Sequence, residues 1–382
     1  NYDDSSMELR NEQANKIDKF VQEQNIILVN SAGNIPLDQA YHLKDFYPKY
    51  LTEQNILCPS ECRNVFSVGS VNNASQGNDV HFSKHTRIGI PAYLQNAELD
   101  KHEFFKPEIH TFGGDSIPND SLYYNSVTAD SSFPVLDMDG NMITEAGTSF
   151  SAPLISLCFA RIHNRFKTHL KNSESYKSIL LNQCEKGECN GVTTFSLLNT
   201  KEVGLCTDGI YLNFEGHSSP HEKSEEKKSS KEIKCKKIQF YVPKEAKDIE
   251  VVVSHSNNYE NQSPEKMNTK VVLKLIKPTG TVCKKDYGNI NKNSATTYAR
   301  YGFKKSYHGL WGAEVHIETI NIPSELFDKT KIRFGISLKI NLKEGSDVPK
   351  IYEEVLEKSP SAIKSNYNIR ISEKIPQIII QR

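Results

Sequence analysis

The chain has 382 residues, enough for two domains of about 150 residues each with a sizeable core. Lys+Arg and Asp+Glu both number 47, so the formal net charge is zero and no nucleic-acid partner is expected. Hydrophobic content of 37% is that of a globular chain, and no apolar run approaches the roughly 20 residues a membrane helix needs, so no membrane span is expected.

The chain begins at Asn1 with a polar stretch that lacks the marks of a secretory signal. The expectation is a segment cut from a longer protein, whose localisation cannot be read from this end. Residues 7–24 carry Met7, Leu9, Ala14, Ile17, Phe20 and Val21 at helical spacing. A continuous apolar run follows at Ile26–Val29, as in a parallel strand buried on both faces. After a polar stretch at 35–64, residues 65–73 read as another short buried strand, and 106–115 as a strand into a glycine turn. Asp139-Gly140 marks a tight hairpin turn. The helix after Ser149 is apolar on nearly every side, which predicts a place in the middle of a large core. Residues 173–184 read as an amphipathic surface helix.

The texture changes near residue 206. Strands are predicted at 209–216, 236–243, 248–256, 270–281, 313–320, 331–340 and 366–374, with one helix at 351–358. The segment near 217–236 is rich in Ser, Lys and Glu and reads as a disordered charged loop. The resulting division is 1–205, an α/β unit with a parallel sheet and helices on both faces, and 206–382, an all-β sandwich. Eight cysteines are spread along the chain, with two close pairs, Cys58/Cys62 and Cys184/Cys189. Neither spacing is the tight CxxC of common zinc modules, which leaves thiols or a local disulfide as the readings and no metal assigned.

Ser149 lies in "EAGTSFSAP", at the mouth of the apolar helix. A serine there has exposed placement and free backbone N–H groups, both of which a nucleophile in acyl transfer needs. The same residues also fit an ordinary Ser/Thr helix cap. Asn34 ends the strand "NSAGN", where an amide can donate into a cleft or simply form a turn.

Five segments, "ILVNSAGN", "CPSECRNVFSVGSV", "HFSKHTRIG", "KPEIHTFGGD" and "GTSFSAP", resemble the subtilisin family of serine proteases in order and rough spacing. The resemblance covers residues 1 to about 200. It implies that Ser149 is the nucleophile and that the Asn34 amide and the Ser149 N–H form the oxyanion hole. Ser31, Ala32 and Gly33 become a wall of the substrate cleft, pairing with an extended peptide as an added strand. The substrate implied is a peptide or protein. Calcium is common in the family, but no ligand set for it is placed here.

The departure is as informative. The family's triad runs Asp, His, Ser along the chain. Neither an Asp-Ser/Thr-Gly strand end nor a His-Gly-Thr-His helix start is present. His81, His85 and His110 stand in no base motif and read as surface or loop residues. The expectation is an endopeptidase part that is inactive alone, whose partner is the missing N-terminal half of the peptidase domain. The other reading is a catalytically inactive scaffold or binding protein. In the second unit "LKLIKPTGT" and "GLWGAEV" resemble the P domain of kexin-type proteases, a jelly-roll sandwich, with Trp311 in its core. Any other sandwich with a buried tryptophan fits these residues as well.

Overall fold

The computed structural model describes residues 4–34, 56–72, 83, 86–87, 106–114, 117–118, 125–126, 133–167, 170–189, 192–198, 200, 203, 209–218, 231–234, 238–256, 268–283, 296–302, 307–320, 332–359 and 370–371. His81, His85 and nearly all of the 35–57 stretch lie outside them. The first half comprises α1 (Asp4–Gln24), β1 (Val29–Ser31), β2 (Phe66–Val71), β3 (Ile109–Phe112), β4 (Ile117–Pro118), β5 (Asn125–Ser126), β6 (Phe133–Leu136), β7 (Met142–Glu145), α2 (Thr148–Phe166), α3 (Ser173–Asn182), β8 (Glu185–Cys189) and β9 (Val192–Leu197). One sheet runs β1-β2-β3-β9-β8; β1, β2, β3 and β9 are mutually parallel and β8 returns antiparallel to β9.

Alternation along the strands sends neighbouring side chains to opposite faces. Ile27, Val29, Phe66 and Val68 pack with α2, while Leu28 and Val65 pack with Ala14, Ile17 and Val21 of α1. Helices therefore cover both faces, as the apolar runs predicted. The α2 core stripe is Ile155, Cys158, Phe159, Ile162 and Phe166, and Phe159 meets Phe66 edge-on at 5.0 Å. Leu157 and Ala160 on the other side are exposed. The expectation of a helix buried all round is thus corrected: α2 lies on the sheet with one face to solvent.

The second half holds β10 (Ile210–Ser218), β11 (Lys231–Lys234), β12 (Ile238–Val242), β13 (Ala246–His255), β14 (Asn268–Ile276), β15 (Thr296–Gly302), β16 (Gly309–Ile320), β17 (Ile332–Leu342), α4 (Val348–Lys358) and β18 (Arg370–Ile371). All their pairings are antiparallel. One sheet runs β15-β13-β17-β10-β18; in the other, β16 has β14 on one side and β11 and β12 on the other. Inward residues of both sheets, among them Phe214, Phe240, Val251, Leu275, Trp311 and Ile336, form one cluster. The indole N–H of the buried Trp311 donates to the Tyr307 carbonyl at 2.8 Å, which removes the cost of burying it. Of the stretch read as a charged loop, 217–218 and 231–234 are strand, because β16 runs past β12 and pairs β11. Residues 219–230 and 235–237 lie outside the described residues.

All ten residues of α3 are buried, which corrects the expectation of a surface helix. Its polar side chains do not face water: Lys177 donates to the Asn64 carbonyl of the first half, and others meet the second half. The Glu215 carboxylate accepts the backbone N–H groups of Lys171 and Asn172 and the Ser175 hydroxyl at 2.9–3.0 Å. That places a negative charge at the positive end of α3. Arg333 pairs with Glu174 at 3.1 Å, and Asn182 Nδ2 donates to the Ser337 carbonyl at 2.9 Å. Gly335 lets the backbones touch, since a Cβ there would lie 2.3 Å from Ser175 N and Cα. Substituting Gly335→Ala is expected to cost about 1–3 kcal/mol, read as a lower urea midpoint.

Among the buried titratable groups of the first half, Asp18 and His110 shift in opposite directions. Burial pushes the Asp18 carboxyl up to about 6, although the backbone N–H groups of Asn64 and Arg63 and the charges of Lys106 and Arg63 pull it down. Burial lowers His110, on β3, to about 4 against a backbone hydrogen bond with Phe195. His110 is thus a neutral core residue and not the expected surface one, because β3 is covered on both faces. The Asp18 contribution to stability is full below pH 3.8 and is lost as pH rises through about 6. The His110 contribution is full above pH 6.5 and is lost as pH falls through about 4. The two slopes oppose each other in the window they share. Asp18→Asn should leave the His110 slope alone, so that stability climbs between pH 4.5 and 6 by up to about 1.4 kcal/mol per unit more than in the parent. Urea unfolding across that range checks it, and parallel profiles contradict it.

Candidate active site

The carboxyl ends of β1, β2 and β3 converge on the start of α2, the usual place for a site in a parallel sheet. The pairing of β1 extends one residue, with Ala32 N donating to Val68 O at 2.8 Å. Gly33 then turns the chain at φ +93°, a conformation that favours glycine. Arg87 secures the turn from outside: its N–H donates to Gly33 O at 3.0 Å and its Nε to Asn34 O at 3.2 Å.

Asn34 follows and reaches α2. The cap position of α2 is Gly147, which has no side chain to offer, so the first helical N–H groups need an acceptor from elsewhere. Asn34 Oδ1 supplies it. The oxygen accepts the Thr148 N–H at 3.0 Å and the Thr148 hydroxyl, also at 3.0 Å. The hydroxyl oxygen in turn accepts the Gly33 N–H at 3.2 Å. Two donors on one oxygen fix which end of the amide is which. Asn34 Nδ2 is left beside the helix mouth, where a Cβ on Gly147 would lie 3.2 Å from it. Anchors to β3 hold the mouth in place: Gly147 N donates to Gly113 O at 2.8 Å and Ser151 Oγ to Thr111 O at 3.2 Å. Thr148 and Ser151 are buried, while Ser149 between them is exposed, as is Asn34.

Sequence reasoning named Ser149 and Asn34, and the structure brings them to one spot, one residue apart through Thr148. It missed Thr148 itself, although the residue stood in the quoted motif. The sign was there: a glycine in the cap position calls for a polar partner from another element. Ser31, Ala32 and Gly33, expected to pair with a peptide, also make bonds within the fold. The Ala32 N–H and both backbone groups of Gly33 are engaged within the fold, and the Ser31 carbonyl accepts from Asn30 Nδ2 and Ser60 Oγ. These three residues position Asn34.

No group of three or more His, Cys, Asp and Glu among the described residues is arranged to hold a metal. The Asp137 carboxylate accepts from the N–H groups of Asp139 and Asn141 and from the Asn141 amide, and the Asn141 bonds hold it below its usual range.

A serine at a helix start beside a fixed amide donor, at the carboxyl ends of parallel strands, is the arrangement of an acyl-transfer hydrolase. The model of the subtilase family, Peptidase_S8, matches residues 1–201, more than half of the chain, and the chain belongs to that family of serine proteases. Among solved structures, the epidermin leader peptide processing serine protease (EpiP) of Staphylococcus aureus is 19% identical over 46% of this chain, with a TM-score of 0.28. The chain spans 39% of the length of that structure. No curated protein matches.

The Thr148 hydroxyl is the hinge of this geometry. Thr148→Val keeps shape and removes the oxygen, leaving the Gly33 N–H without its partner. A loss of about 1–2 kcal/mol in urea unfolding is expected, with faster exchange of the Gly33 amide.

Proposed function

We propose that the chain carries the nucleophile half of a subtilisin-type serine endopeptidase site. Ser149 attacks the scissile carbonyl of a peptide and forms the acyl-enzyme. Asn34 Nδ2 and the Ser149 backbone N–H donate to the oxyanion that develops. The observation that carries this reading is the double acceptance by Asn34 Oδ1, which leaves Nδ2 as the free end of the amide beside Ser149. Ser31, Ala32 and Gly33 form one wall of the substrate cleft, along which an extended peptide pairs as an added strand.

A serine hydroxyl needs a base. His110 is buried and neutral within the sheet, and the family's Asp and His motifs are not in these 382 residues. In this proposal a companion segment supplies base and acid and adds to the edge of β1 that no other described strand pairs. Residues 1–205 are the peptidase part. Residues 206–382 are a jelly-roll-like sandwich of the P-domain kind, whose role is to stabilise that part by covering α3. The competing reading is a scaffold with no catalysis.

Fluorophosphonate labelling and a fluorogenic peptide assay decide between them. Alone, the chain is expected to label slowly and to hydrolyse nothing. Mixed with the companion segment it should gain activity that Ser149→Ala abolishes. Asn34→Ala should lower turnover on the scale known for an oxyanion donor in subtilisin, about 100- to 1000-fold. A stable but inactive complex would favour the scaffold.

A further inference from the structure

Between α1 and the parallel sheet sits a turn with two thiols, "CPSEC" at 58–62. Backbone hydrogen bonds close it, Glu61 N to Leu57 O at 3.2 Å and Cys62 N to Pro59 O at 3.1 Å. Cys58 and Cys62 stand at the two ends of this turn. The side chains point the same way: the thiols of Cys58 and Cys62 are hydrogen-bonded to each other. Both pack with Ala14, Ile17 and Val21 of α1. Cys62 is fully buried and Cys58 half-buried, so a reagent from solvent meets Cys58 first. The other thiols described, Cys158, Cys184 and Cys283, are buried elsewhere in the two main cores.

The turn also carries Ser60, which donates to the Ser31 carbonyl and accepts from Asn30 Nδ2. Ser60 thus grips the strand that leads to Asn34. Its neighbours Arg63 and Asn64 donate their N–H groups to Asp18 of α1. A bond across the turn would fasten this junction of α1, β1 and β2.

We propose that Cys58 and Cys62 form a reversible dithiol–disulfide site that reacts with small-molecule disulfides such as oxidised glutathione. The Cys58 thiolate attacks one sulfur of the reagent, giving a mixed disulfide and releasing one thiol. The Cys62 sulfur, as it loses its proton, attacks the Cys58 sulfur and releases the second thiol. Two protein thiols and one disulfide thereby become one protein disulfide and two thiols. Cys58 is half-buried and Cys62 buried, which assigns the first attack to Cys58.

The test treats the whole chain with glutathione buffers of graded ratio, then alkylates and digests it with trypsin. Residues 50–63 form one tryptic peptide that holds both cysteines. The expected product is that peptide, unalkylated and two hydrogens lighter than the dithiol. It should appear at a glutathione ratio at least about tenfold more reducing than the same chain requires in concentrated urea, because only the fold holds the thiols together. Cys62→Ser should trap glutathione on Cys58, whereas Cys58→Ser should leave Cys62 reduced. Three results would each overturn the proposal: both thiols alkylated in excess oxidised glutathione, a mixed disulfide that persists in the parent chain, or no difference between folded and urea-unfolded chain. The last comparison needs no variant, so a substitution that fails to fold does not shelter the idea.

Discussion

Asn34 Oδ1 accepts from both the backbone and the hydroxyl of Thr148, and the rest of the site is arranged around that pair of bonds. The helix gains the cap that Gly147 cannot give it. The strand tip gains a fixed direction, since the Thr148 hydroxyl also takes the N–H of Gly33. Ser149 is held where the two elements meet, because Thr148 before it and Ser151 after it are buried and bonded. Ser149 and Asn34 are therefore held by contacts that also stabilise the fold.

How much of this could be read from residues alone varies with distance along the chain. The helix at the start, the buried strands and the antiparallel strands of the second half were legible because their apolar periods are local. Ser149 and Asn34 were legible because small residues and glycine crowd around them in a recognisable order. Three features were not. The polar face of α3 looked like a water-facing one because Glu174, Ser175 and Lys177 are polar; their partners Arg333, Glu215 and the Asn64 carbonyl come from distant segments. His110 looked like a surface histidine because burial on two faces of β3 depends on helices far away in sequence. The strand character of 231–234 was hidden by its charge, and only its pairing with β16 reveals it.

The two halves meet through polar bonds as much as through apolar area. Tyr211 of β10 and Val252 of β13 belong to the core of the first half, and the opposite faces of those strands line the core of the second. On β13 nine of ten positions are buried, which a strand at the surface of an independent unit would not show. Lys186 beside Glu250, at 2.6 Å, continues the seam to the edge of the first sheet. Taking either partner away would leave a buried charge without its counterpart, so these pairs hold the halves in register more than they add net stability.

That seam bears on how the chain can be divided. A cut after residue 205 looks natural from composition, yet it would strip α3 of the Glu215 carboxylate at its amino end and uncover the side of the helix that Arg333 and Gly335 touch. The two halves are thus joined along a buried polar seam. Any rearrangement that shuffled the second half away would have to rebuild the outside of α3 first.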